Sequence, residues 1–200
     1  MKFTYTLKSV LPVFLILTVA MMAFHQKEAR SNSQVITNYL LKAYRAYFAA
    51  VDLNAEMRRL PYPVKQRLAP HFSGLNLERV WYGESRYLVV PDTAMTDCSR
   101  IYFPSDAGII DIVENGHLFE KKYKNDLHWL LHELTHSQQC QAQGGRDEYA
   151  KMWFGDLAAA TLTQLLINPK SVNERMLHNA MPMEKDAEQN AVIVLNRLSK

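Results

Sequence analysis

The stretch NDLHWLLHELTHSQQCQAQGG, residues 125–145, decides how the chain is read. At its centre, His132-Glu133-Leu134-Thr135-His136 is an HExxH sequence. Side chains four apart on a helix lie one above the other, so two neutral imidazoles at that spacing can hold one zinc ion from the same side. The glutamate beside the first histidine can take a proton from a zinc-bound water. Asn125 or Asp126 can cap the start and Gly144-Gly145 stops the run, which gives a helix of roughly five turns. Leu127, Leu130, Leu131 and Leu134 fall on one narrow stripe, the core face. His132 and His136 fall opposite, with Trp129 beside them and Glu133 at the edge. The competing reading is a surface helix that happens to carry three histidines. His128 extends the row by a turn, but it stands about 12 Å from His136 along the axis, too far to share one ion.

Working outward, 200 residues with 48% apolar and 22% charged side chains suit one globular domain with a real core. Lys2 and Lys8 precede an apolar run over residues 10–24, and no acidic residue comes before Glu28. This is the pattern of a secretory signal peptide over residues 1–23, or of a membrane anchor if it is not cleaved, followed by a polar linker at 24–32. Without the two signal lysines the chain holds 21 basic and 20 acidic residues, and no basic run points to nucleic acid. Export to the periplasm or beyond would place Cys98 and Cys140 where a disulfide can form, with two unlinked cysteines as the alternative.

Residues 33–200 read as one α+β domain, mostly helical. Ser33 caps a helix to about Val51, a short helix spans 64–68, and Asp147 caps a long helix ending at Asn168-Pro169. A helical piece covers 172–178, and Pro182 opens the last helix. Residues 79–82, 87–90, 100–103 and 109–113 are rich in β-branched and aromatic side chains, and predict a small sheet of four short strands.

Two resemblances follow. HExxH with the later acidic run Glu184-Lys185-Asp186-Ala187-Glu188 resembles the gluzincin zinc metallopeptidases. In that family a glutamate on a downstream helix is the third ligand, and an acidic residue four places on supports a motif histidine. The resemblance therefore implies a small zincin-like fold, its sheet against the HExxH helix. It also implies Glu184 as third zinc ligand, Glu188 behind a liganding histidine and Glu133 as general base. Glu184, Ala187, Glu188 and Ala191 would share one helical face, with Asp186 pointing elsewhere. Glu188, Asp186 and His178 stay open as rival ligands, as does an ordinary acidic first helical turn.

More narrowly, LPYPVKQRLAPHF, NLERVWYG, CSRIYFP and LHWLLHELTHSQQ, within residues 60–139, are similar to the core domain of extracellular contractile injection systems. That family is marked by a helix reading HELTHxxQ, with Gln139 in the glutamine position; Ser137 and Gln138 stand where it usually has valines. Together with the signal pattern, the resemblances imply an exported zinc peptidase acting on a peptide or protein, and they place a substrate strand beside residues 100–103. Tyr149 and His178 are the candidates for oxyanion stabilisation. The alternative is a non-catalytic, zinc-stabilised binding module of an injection system or the cell envelope, with membrane contact only if the N-terminal segment stays attached.

Overall fold

The structure, a computed structural model, describes residues 29–88, 93–167 and 174–199. The expected signal segment and the first part of the linker lie outside these residues. Among the described residues no helix is long and apolar enough to cross a membrane.

The chain divides into two compact units, residues 1–46 and 47–200. Helix α1 (Ala29–Leu53) supplies the described part of the first, and its last turns belong to the second. The second unit continues with β1 (Ala55–Arg59), α2 (Tyr62–Leu68), β2 (Trp81–Ser85), β3 (Met95–Asp97), β4 (Arg100–Pro104) and α3 (Ile109–Glu114). The motif helix α4 (Lys124–Ala142), the long α5 (Arg146–Ile167), the short α6 (Glu174–Ala180) and α7 (Pro182–Leu198) complete it. The architecture is α+β, mostly helical, with one small mixed sheet.

The sheet order is β1-β2-β4-β3, with β2 and β4 parallel and both outer pairs antiparallel. Tyr82, Ile101, Tyr102 and Phe103 on the two inner strands are fully buried. The sheet corrects the expected strands in three places. Strand β1 reads AEMRR: Ala55 and Met57 alternate with charged residues, but the run is short and holds no β-branched or aromatic residue, as an exposed edge strand allows. It lies so close to β2 that a side chain on Gly83 would overlap the Glu56 carbonyl oxygen. Residues 109–113 form helix α3 instead of a strand: Ile109, Ile110 and Val113 are buried along one side, and the Glu84 carboxylate of β2 accepts the Ile110 N–H at 3.2 Å. That carboxylate satisfies an amide the first helical turn leaves open, and tertiary contact overrides the β-branched propensity. Tyr87 and Leu88 are irregular, and the rest of the strand expected there lies outside the described residues; β3 fills the sheet edge instead. Because β4 is paired on both sides, no substrate strand can pair with it; the edge nearer the motif helix is β3.

Helix α4 packs its leucines into the main core. Leu130, Leu131 and Leu134 are fully buried among Val80, Tyr82, Ile101, Phe103 and the Ala191, Val194 and Leu195 face of α7. Each such side chain contributes about 1.5–3 kcal/mol of hydrophobic stabilisation. A second cluster of Cys140, Tyr149, Ala160, Leu177, Met181 and Met183 seats α5, α6 and the start of α7 against the far end of α4.

Candidate metal centre

The opposite face of α4 is buried as well, against α7. Pro182 sits in the first turn of α7, where its missing N–H costs nothing, and Glu184 follows in that turn. Small Ala187 and Ala191, both fully buried, let the two helices approach. Glu184 is thereby carried over the motif histidines and is itself only 5% exposed.

Three donor atoms converge. His132 Nε2 lies 3.2 Å from Glu184 Oε2, His136 Nε2 lies 3.1 Å from the same oxygen, and the two Nε2 atoms are 3.1 Å apart. Donors held at about 2.0–2.1 Å from a tetrahedral ion stand roughly 3.3–3.4 Å from one another. The observed edges of 3.1–3.2 Å fall slightly short of that, and two imidazoles with one carboxylate is a metal-binding donor set. His132, His136 and Glu184 could together hold a metal ion.

The electrostatics agree. Burial would raise the Glu184 carboxyl, but hydrogen bonds from His132, His136 and His178 outweigh it and hold it well below the usual carboxylate range. Burial likewise opposes charge on His136, and the bond to Glu184 overcomes it, pushing the imidazole up to about 9. Without a metal ion, the proton on His136 thus offsets the Glu184 charge that a cation would offset.

The remaining expected residues are placed as follows. Glu133 is buried and stands outside the donor triangle; its Oε2 accepts a hydrogen bond from Thr96 Oγ1 of β3 at 2.6 Å. Glu188 Oε2 faces the distal nitrogen of His132 at 3.5 Å, while its other oxygen lies 3.2 Å from His128 Nε2. Asp186 is exposed and away from the cluster. His178 Nε2 reaches Glu184 Oε2 at 2.9 Å, its ring parallel to that of His132, and this contact holds its pKa above the usual histidine value against partial burial. Tyr149 is buried with its ring edge-on to His136, 6.4 Å between centroids. Cys98, in the left-handed position of the β3–β4 turn, is disulfide-bonded to Cys140 of α4. A surface groove lined by His132, His178, Glu184 and Glu188, with Val192 and Ile193 further along, leads to the cluster.

Sequence reasoning gave no site role to Thr96 or Gln139 and no partner to His128. Thr96 lies in a three-residue strand with no pattern of its own, so only the tertiary fold could reveal it. His128 cannot bind the same ion, and its partner Glu188 is 60 residues away in the chain. Comparison with protein-family models, with curated proteins and with solved structures finds no match for this chain.

Proposed function

We propose that the protein is an exported, zinc-dependent peptidase of small zincin type. The observation that carries this reading is the triangle of His132, His136 and Glu184 beside a buried Glu133 that is not one of the donors. Three protein donors leave a fourth tetrahedral position for water and substrate, the pattern of catalytic sites. Zinc bound there would act as a Lewis acid, polarising the scissile carbonyl and making water a nucleophile near neutral pH. Glu133 is the general base: it accepts a proton as the water oxygen bonds to the carbonyl carbon. It returns that proton to the amine nitrogen as the C–N bond breaks. Thr96 fixes the Glu133 carboxylate through its hydroxyl. Strand β3, the end of the sheet among the described residues, is where an extended peptide would add by backbone hydrogen bonds. Export is supported by the N-terminal signal pattern and by the Cys98–Cys140 disulfide, which belongs in an oxidising compartment. The likeness of HELTHSQQ to the core domain of contractile injection systems supports the same fold and zinc.

One observation favours a second reading, a zinc-stabilised binding module. His178 stands beside Glu184, outside the three-donor group, and as a fourth protein donor it would make a closed, structural site. Cleavage of an unstructured protein with and without chelator separates the two. In the peptidase, Glu133→Gln keeps its zinc and loses roughly 100- to 10,000-fold in turnover. Equal turnover in variant and parent, or none in the zinc-loaded parent, would sink the catalytic reading.

A further inference from the structure

We infer that Gln139 is a positioning residue for the metal centre, locking the His136 ring and the start of helix α7 with one side chain. The inference rests on the metal reading of the site but not on catalysis. Gln139 lies on α4, three residues after His136, and is half-buried. Its Oε1 is 2.8 Å from His136 Nδ1, and its Nε2 donates to the Met183 carbonyl oxygen at 3.0 Å. The two contacts determine each other. A backbone carbonyl can only accept, so the amide nitrogen must face Met183 and the amide oxygen must face the imidazole.

An amide oxygen is also only an acceptor, so His136 Nδ1 must carry a hydrogen. In the neutral ring that leaves the lone pair on Nε2, the atom directed at Glu184 Oε2 and His132 Nε2. Gln139 therefore selects the tautomer and ring orientation needed for ligation through Nε2. Met183 immediately precedes Glu184, so the second arm tethers the carboxylate's own backbone to α4. His132 has the exposed Glu188 as its counterpart, at 3.5 Å. The neutral, better-shielded glutamine is the tighter of the two supports.

The test is zinc and cobalt(II) affinity, measured by chelator competition on the full chain, with far-UV circular dichroism of the metal-free proteins as a fold check. Gln139→Met keeps volume and removes both hydrogen bonds. It should bind metal about 10- to 100-fold more weakly than the parent, with an altered cobalt(II) visible spectrum. Gln139→Glu keeps an acceptor for His136 Nδ1, loses the donor to Met183 and adds a negative charge. It should bind clearly more tightly than Gln139→Met, or, if Gln139→Met does not fold, within about tenfold of the parent. Parent-like affinity in Gln139→Met overturns the inference, as does a Gln139→Glu that binds no better than Gln139→Met, or a sole folded Gln139→Glu weaker than that limit. A parent that binds zinc but cleaves nothing removes the peptidase reading and leaves this one standing. A parent that binds neither metal overturns both.

Discussion

Thr96 and Glu133 meet across two elements that the chain separates by 37 residues, and the contact is short: 2.6 Å from hydroxyl to carboxylate, with the same hydroxyl 3.3 Å from the Glu133 carbonyl oxygen. A buried carboxylate without a donor is costly, and hydrogen bonds to charged groups contribute about 1.5–3 kcal/mol. Thr96→Val keeps the shape and removes the donor. Its expected effect is a loss of stability of that order in chemical unfolding, together with reduced turnover and full zinc stoichiometry. A variant as stable as the parent would mean that water replaces the hydroxyl, and the positioning role of Thr96 would fall. The His132 and His136 pair is legible in the sequence because helix geometry fixes what residues four apart can touch. Thr96 is not, since nothing local marks which strand residue faces a helix folded onto it later.

Helix α4 is the element on which the rest converges, with leucines toward the sheet and histidines toward α7, both faces buried. Its C-terminal end is pinned to the β3–β4 turn by the Cys98–Cys140 bond, which closes a loop with a sequence separation of 42. A closure of that length stabilises by roughly 3–4 kcal/mol on chain-entropy grounds. The double variant Cys98→Ser, Cys140→Ser should therefore lose stability of that size when compared with the oxidised parent by chemical unfolding. Equal stability would show that the crosslink adds nothing at this position. At this scale the helices were readable and the sheet was half readable. Gly144-Gly145, Pro182 and the apolar periods mark α4, α5 and α7, whereas the expected caps are not used: α4 starts at Lys124 after Tyr123, with no side-chain cap, and Asp147 lies inside the first turn of α5. β1 escapes because AEMRR, at an edge, is short, charged and without a β-branched or aromatic residue. α3 misleads because six residues are too few to show a helical period, and its β-branched residues favour the wrong element until the Glu84 cap decides.

On the scale of the molecule, the donor triangle is assembled from α4 and α7, so metal binding and folding of the second unit are linked. An ion that binds only the folded chain stabilises it by mass action, by about 2.7 kcal/mol at a free concentration one hundred times its Kd. Zinc should accordingly raise the thermal midpoint of the parent and leave that of His136→Ala almost unmoved; equal shifts in both would place the ion elsewhere. The downstream carboxylate is the most demanding part of the reading, because it joins residues 48 apart in the chain into one centre. Zinc stoichiometry and affinity of the parent against Glu184→Ala test it most directly. The expected result is one ion per chain in the parent and a loss in Glu184→Ala as severe as in His136→Ala. Undiminished zinc binding in Glu184→Ala would contradict it.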